Sequence, residues 1–115
     1  MTITRMQVGP KLSRIVKYNG IVYLCGQVAK EYTPDITEQT RTMLERVDEH
    51  LAEAGTDKSR ILAATIYLRN AEDVSAMNEV WFEWMEGIEP PSRTCVTAGM
   101  PNPDILVEIT VTAAE

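Results

Sequence analysis

An alternation of apolar and polar residues near the C-terminus constrains the fold of this chain more than any other feature. Residues 106–113 read LVEITVTA, which places Val107, Ile109 and Val111 on one face of an extended strand and Glu108 on the other. A period of two along such a run is typical of a β-strand with one buried face. The rest of the chain must therefore supply elements that cover the apolar face of a sheet.

The run at 93–98, RTCVTA, also alternates and brings a charged group into a second strand. Its apolar Val96 indicates the buried face, so we expect Arg93 and Cys95 on the polar face of the sheet, with Glu108. Tyr and Cys residues of an earlier strand join this polar layer. Because Arg and Glu need hydrogen-bonded partners when they are dehydrated, the layer fits a seam with another copy of the protein. A solvated face on a monomer is the alternative.

Two amphipathic helices are available to cover the apolar face. Asp35 is a candidate N-cap, Glu38 would complete a capping box, and Gly55 is a stop signal. Asn19-Gly20 between two β-rich runs predicts a two-residue hairpin. Strands are predicted at 15–18, 21–26, 61–68, 93–98 and 106–113, with a further strand at 2–7, a loop at 27–34, and helices at 35–54 and 73–85. This order indicates one α+β domain over 1–115, in which a mixed sheet carries both helices on one face.

Composition narrows the class of protein. The net charge of −6, with 11 basic residues scattered among 17 acidic ones, argues against nucleic acid as a partner. No apolar run approaches the roughly 20 residues of a membrane span, and residues 1–7 lack the apolar core of a signal peptide, so a cytoplasmic location is expected. Cys25 and Cys95 form no C-x-x-C pair, which indicates free thiols and no metal site.

Seven segments together carry a resemblance to a known family. They are VYLCGQVA at 22–29, LAEAG at 51–55, ILAATIYL at 61–68, AMNEVWFEW at 76–84, SRTCV at 92–96, the AG-P-P pattern at 98–103 and VEI at 107–109. The chain resembles the RidA family, also called the YjgF or liver perchloric-acid-soluble protein family, and within it the short bacterial branch typified by YoaB. The resemblance implies a chorismate-mutase-like fold, a homotrimer with clefts between subunits, and hydrolysis of 2-imino acids to 2-oxo acids and ammonia without cofactor or metal.

The resemblance also implies roles for particular residues. Arg93 takes the position of the carboxylate-binding arginine and Glu108 that of the acidic residue. The substrate-binding positions fall on Cys25, Gly26, Asn78 and Cys95. Segment 9–16, GPKLSRIV, has no counterpart of the tyrosine found near the N-terminus of RidA. Cys95 has no evident base, since the single histidine, His50, is expected on the exposed side of the first helix, so Cys95 is expected to line the pocket.

The chemistry of these residue types agrees with that reaction. The planar fork of an arginine binds a carboxylate through two hydrogen bonds, and a glutamate can take a proton from water and return it to a departing nitrogen. An ion pair between Arg93 and Glu108 that only orders an interface is the structural alternative. Two other functions stay open: a regulatory trimer that binds a small carboxylate without turnover, and an endoribonuclease, which the acidic charge and the lack of a histidine pair disfavour.

Overall fold

The chain begins with a meander of three antiparallel strands around a tight turn. The computed structural model describes residues 2–115, with β1 at Thr4–Val8, β2 at Ser13–Tyr18 and β3 at Ile21–Leu24. Asn19 and Gly20 have φ angles of 53° and 79°. Positive φ at both central residues is what a type I′ hairpin turn requires, so the hairpin prediction is confirmed. The predicted N-terminal strand is also confirmed.

Apart from the short β4, the remaining elements follow the predicted order. They are β4 (Gln27–Val28), α1 (Ile36–Glu53), β5 (Ile61–Leu68), α2 (Val74–Trp84), β6 (Ser92–Thr97) and β7 (Val107–Ala114). The strands form one sheet in the order β1-β2-β3-β7-β5-β6, and β4 pairs with β7 beyond the end of β3. Among the strand pairs of residues 2–115, only β5 and β6 are parallel, because α2 crosses over between them. The predicted α+β class, with a mixed and mostly antiparallel sheet, is confirmed.

Segment 27–34 was predicted as a loop, and this was wrong for its first two residues. Gln27 and Val28 pair with Ile109 and Glu108 of β7, so the chain extends the sheet before it turns toward α1. The following Lys30 forms ion pairs with Glu49 at 2.7 Å and with Glu45 at 3.3 Å on α1. These hydrogen-bonded carboxylates raise the pKa of Lys30.

Helix α1 begins at the predicted cap. The Asp35 side chain accepts a hydrogen bond from the Glu38 amide at 3.0 Å, and Gly55 follows the helix with a φ of 88°. The capping box is only half formed, because the Glu38 carboxylate pairs with Arg41 on the helix surface. No helical segment within residues 2–115 has the length and apolar composition that crossing a membrane requires.

Both helices pack their apolar stripes on one face of the sheet. The core consists largely of Met43, Leu44, Val47 and Leu51 of α1, Met77, Val80 and Trp81 of α2, and Ile15, Val22, Leu24, Ile66, Leu68, Val107, Ile109 and Val111 of the sheet. Each such aliphatic side chain contributes about 1.5–3 kcal/mol on burial. In the described part of the chain, the opposite face of the sheet carries no helix; we call it the open face.

The predicted exposed position of His50 is wrong, since its exposed fraction is only 8%. His50 lies three residues after Val47 and four before Ala54, and therefore belongs to the buried stripe of α1. Its Nδ1 atom lies 2.7 Å from the Arg46 carbonyl oxygen, four residues earlier on the same helix. The imidazole is thus a core group.

Two glycine variants should separate backbone strain from side-chain space. A Cβ atom added at Gly20 or at Gly99 would have no other atom within 4 Å, but only Gly20 has a positive φ. Gly20→Ala should lower the free energy of unfolding by about 1–2 kcal/mol, because a Cβ disfavours the left-handed conformation. Gly99→Ala should not destabilise, since it only restricts the unfolded chain. Urea denaturation at one protein concentration measures both; equal losses would contradict the strain argument.

Candidate functional site

Glu108 lies on the open face at the centre of the sheet. Its neighbours in register are Val28 on β4 and Tyr67 on β5. The carboxylate lies directly over Gly26: a Cβ at that position would overlap it and would stand 3.1 Å from its Cδ atom. A glycine is therefore needed at 26 for the carboxylate to occupy this place.

A cleft of about 280 Å³ opens beside the Glu108 carboxylate. It is lined by Tyr67, Glu108 and Thr110 of the sheet and by residues 98–101 of the loop after β6. Within residues 2–115, the carboxylate takes part in none of the side-chain hydrogen bonds or ion pairs. A carboxylate in this position is free to accept hydrogen bonds from water or from a ligand.

Arg69 fixes the loop that forms one wall of the cleft. Its Nε donates to the Ile105 carbonyl at 2.9 Å, and its Nη2 donates to the carbonyls of Met100 at 3.1 Å and Asn102 at 2.8 Å. One guanidinium thus binds three carbonyls of a single loop, which its rigid fork of donors makes feasible. The wall has a defined shape for that reason.

Gln39 fixes the other end of the same loop from inside helix α1. This fully buried side chain donates from Nε2 to the carbonyls of Tyr32, Pro34 and Asp104, and its Oε1 accepts from the Leu106 amide at 3.0 Å. A buried amide satisfied on both sides is costly to replace. The cleft wall is therefore tied to the core.

The segment beneath the Glu108 carboxylate is held by a second buried amide. Gln27, only 2% exposed, donates from Nε2 to the Cys25 carbonyl at 3.0 Å and approaches the Cys25 sulfur at 3.4 Å. These contacts hold the backbone on both sides of Gly26. The structure thus places Cys25 and Gly26 close to Glu108, as a shared site requires.

Arg93 lies on the opposite face of the sheet, and the prediction that it shares a face with Glu108 is wrong. Arg93 is in register with Ala64, which is in register with the buried Val111 of β7. Since residues directly opposite one another point to the same face, Arg93 and Cys95 face the helices, and Val96 is 42% exposed. β6 is an edge strand, so its helix-facing side is only half covered and tolerates an arginine.

The Arg93 guanidinium is partly dehydrated and lacks an anionic partner in the described part of the chain. Its Cζ lies 5.1 Å from the centroid of the Trp81 ring, a cation–π contact. Its Nη1 is buried and donates no hydrogen bond within residues 2–115. Because Glu108 lies across the sheet, the two do not form an ion pair within one chain.

The other predicted site residues divide between the two faces. Asn78 lies one helical turn before Trp81, and its Oδ1 is buried without a hydrogen-bond partner in residues 2–115. Cys95 is in register with Ile66, packs against the core, and lines a separate hollow of about 250 Å³ with Leu68 and Val74. Cys25 and Cys95 are free thiols. Arg93, Cys95 and Asn78 therefore form one group, and Cys25, Gly26 and Glu108 another.

The described residues offer no obvious place for a metal ion. Among residues 2–115, no three side chains of His, Cys, Asp or Glu come together as a metal site would require. The chemistry available at the two groups is consequently that of a guanidinium, a carboxylate, an amide and two thiols. These groups bind anions and move protons.

Comparison with known proteins identifies the family. A family model described as endoribonuclease L-PSP matches residues 2–115. The chain belongs to this family. The chain is also similar to a RutC family protein of Haemophilus ducreyi, with 44% identity over 97% of this chain and 96% of that protein. The predicted membership is confirmed.

The relatives also support the expected branch and fold. The RutC family protein YoaB of Escherichia coli K12 is 39% identical, over 99% of both chains. A crystal structure of a YjgF family member from Neisseria meningitidis superposes with a TM-score of 0.96, at 38% identity, covering 100% of this chain and 96% of that one. The chorismate-mutase-like sandwich implied by the resemblance is therefore the fold of this chain.

Three residues near the cleft were absent from the sequence-based site. Tyr67 belongs to a strand that the sequence predicts. The alternation along β5 places its side chain on the other face of the sheet from the buried Ile66 and Leu68. Arg69 and Gln39 carried no such signal, because their partners are backbone carbonyls in distant segments. Hydrogen bonds to the backbone leave no pattern in side-chain identity.

Replacing Gly26 should move the Glu108 carboxylate without unfolding the protein. In Gly26→Ala the new methyl group displaces the end of a flexible side chain, so we expect a loss of stability of only about 1 kcal/mol. A crystal structure of the variant should show Glu108 in another rotamer. Gly9→Ala, whose Cβ would meet its nearest atom at an ordinary 3.7 Å, is the control. If Glu108 keeps its rotamer in Gly26→Ala and the backbone at residue 26 shifts instead, this expectation is wrong.

Proposed function

We propose that this protein is a cytoplasmic deaminase that hydrolyses small 2-imino acids to 2-oxo acids and ammonia, without cofactor or metal. The observation that carries the proposal is the Arg93 guanidinium, which has a buried Nη1 without a hydrogen-bond partner within residues 2–115. A partly dehydrated arginine without a carboxylate leaves a costly unpaired donor, and a small anionic ligand satisfies it. The family membership supports the same conclusion.

The substrate class follows from what the fork of Arg93 can bind. A 2-imino acid carries a carboxylate next to the electrophilic carbon, and two parallel hydrogen bonds to that carboxylate fix the carbon in position. The ring of Trp81 beneath the guanidinium orients the fork and limits its access to water. A single point charge such as lysine would hold the same carboxylate without this orientation.

The active site requires two copies of the chain. Arg93 faces the helices at the edge of the sheet, while Glu108 lies on the open face of the same chain, so one substrate cannot contact both from a single subunit. Packing the edge strand of one copy against the open face of the next brings the two together. A closed homotrimer repeats this contact three times and leaves no chain without a partner.

Glu108 performs the proton transfers of the reaction. As the water oxygen bonds to the imine carbon, the carboxylate takes a proton from the water, and the π electrons of the C=N bond move to nitrogen. The carboxylic acid then gives the proton to nitrogen. In the resulting carbinolamine the Glu108 carboxylate takes the hydroxyl proton and passes it to the amino nitrogen, so the C–N bond breaks as the C=O bond of the 2-oxo acid forms, and ammonia leaves. Glu108 ends the cycle ionised.

The remaining site residues bind and position. Gly26 gives the carboxylate room, and Gln27 holds the neighbouring Cys25 backbone in place through its carbonyl. Cys95 follows Arg93 at the next helix-facing position of β6 and lines the pocket. The free Oδ1 of Asn78 is an acceptor for the protonated nitrogen of the substrate. None of these roles requires a nucleophilic thiol.

Nuclease activity fits the chain less well, although the name of the family contains that word. The single histidine is buried at 8% exposure with its Nδ1 against the Arg46 carbonyl, so it is not available as an acid or base for RNA. A net charge of −6 repels a polyanion. A trimer that binds a small carboxylate without turnover would use Arg93 in the same way. Such a trimer would differ from the deaminase in that the wild-type protein would not accelerate imine hydrolysis.

Carboxylate binding should depend on the fork of Arg93. Arg93→Lys keeps the charge and loses the bidentate geometry, so the Kd for 2-oxobutanoate should rise about 10- to 100-fold, measured by titration calorimetry. Arg60→Lys is the matched control, because within residues 2–115 the Arg60 guanidinium donates only to the Glu115 carbonyl. Wild-type affinity in Arg93→Lys would exclude the clamp.

Mixed assemblies should show whether a site draws on two chains. Glu108→Gln alone should lower imine clearance about 10²- to 10⁴-fold while 2-oxobutanoate still binds. Imine clearance by Arg93→Lys alone should also be lowered. When the two variants are unfolded together in equal amounts and refolded, about one site in four should combine an intact Arg93 with an intact Glu108 from different chains. Clearance should recover to about that fraction.

The matched control mixes the two variants after separate refolding, under conditions without subunit exchange, and should show no recovery. Light scattering confirms a trimeric mass in each sample. If the co-refolded trimer shows no recovery of clearance, Arg93 and Glu108 of one site come from the same chain. That result would contradict the proposal that each site draws on two chains. If the wild-type protein binds 2-oxobutanoate but does not accelerate imine clearance, the deaminase proposal is wrong. The function would then be that of a trimer that binds small carboxylates without turnover.

A further inference from the structure

Tyr67 is the polar side chain closest in register to Glu108. The two are directly opposite in the antiparallel pair of β5 and β7, so their side chains leave the same face with Cβ atoms about 4.5–5.5 Å apart. On the other side of Glu108 the register neighbour is Val28, which offers no polar group. Tyr67 is thus the one lateral neighbour of the carboxylate that can form hydrogen bonds.

The phenol of Tyr67 lies in the cleft and not in the core. Tyr67 is half-buried and lines the same cleft of about 280 Å³ as Glu108 and Thr110. Its hydroxyl takes part in none of the side-chain hydrogen bonds within residues 2–115, although most partly buried tyrosine hydroxyls find a partner. The hydroxyl is therefore left for water or ligand.

The elements that line the cleft with Tyr67 are anchored to the rest of the fold. The loop wall is fixed by Arg69 and by Gln39 through bonds to backbone carbonyls. The flanking Ile66 and Leu68 are buried in the core, at 0% and 1% exposure, and anchor the strand on both sides of Tyr67. A side chain on a rigid strand positions a ligand more precisely than one on a loop.

We propose that Tyr67 is a further catalytic residue, which together with Glu108 holds the attacking water. The water donates one hydrogen bond to the Glu108 carboxylate and the other to the Tyr67 oxygen, which directs an oxygen lone pair at the imine carbon. Tyr67 keeps its own proton throughout, and Glu108 carries out the transfers. The inference rests on the proposed deaminase function and adds the second group that orients the water.

Losing the hydroxyl alone should slow the chemical step. Tyr67→Phe keeps the ring and its packing but frees one hydrogen of the water, so kcat for 2-iminobutanoate should fall roughly 10- to 100-fold. The KM and the Kd for 2-oxobutanoate should stay within about twofold, because Tyr67 does not contact the carboxylate in this arrangement. Steady-state imine clearance and calorimetric titration measure these quantities.

Tyr23→Phe is the matched control. Tyr23 lies on the same open face, in register with Thr112 and 47% exposed, and does not line the Glu108 cleft. Its kcat should equal that of wild type. A Tyr67→Phe enzyme with wild-type kcat, in an active wild-type background, would overturn the role of Tyr67 and leave the deaminase intact. A loss confined to KM, or an equal loss in Tyr23→Phe, would also overturn it, and an inactive wild type would remove both proposals.

Discussion

The antiparallel pairing of β5 with β7 is the interaction on which the rest of the structure depends. In this ladder Ile66 lies opposite Ile109, and at the next position Tyr67 lies opposite Glu108. Side chains alternate between faces, so a slip of one residue would bury the Glu108 carboxylate under the helices and expose Ile109. Burying an unpaired carboxylate costs several kcal/mol, and that penalty fixes the register. The core and the cleft are therefore set by a single alignment.

The same alignment separates the groups of the site. It sends Glu108 to the open face, while the parallel pairing of β6 with β5 sends Arg93 to the helix face. Within residues 2–115, the Glu108 carboxylate consequently has no cationic partner and the Arg93 guanidinium has no anionic partner. The open face and the edge strand therefore each carry one of these two groups.

The local elements were predictable because their causes are local. Positive φ at Asn19 and Gly20 follows from residue type, and so do the cap at Asp35 and the stop at Gly55. The burial of His50 was also predictable from the sequence, because His50 lies between Val47 and Ala54 on the apolar stripe of α1. That error came from treating a histidine as polar when its helical position indicated burial.

The sequence by itself determined the alternation within each strand, the two amphipathic helices, the family, and the arginine and glutamate for which we propose carboxylate binding and proton transfer. The tertiary structure decided which of the two alternating sets of β6 side chains faces the helices. Thr94 and Val96 alternate with Arg93 and Cys95, and on an edge strand with half-covered faces neither set is apolar enough to fix its side. Pairing with β5 decides it, because Ile66 must enter the core and draws Cys95, and with it Arg93, to the same face.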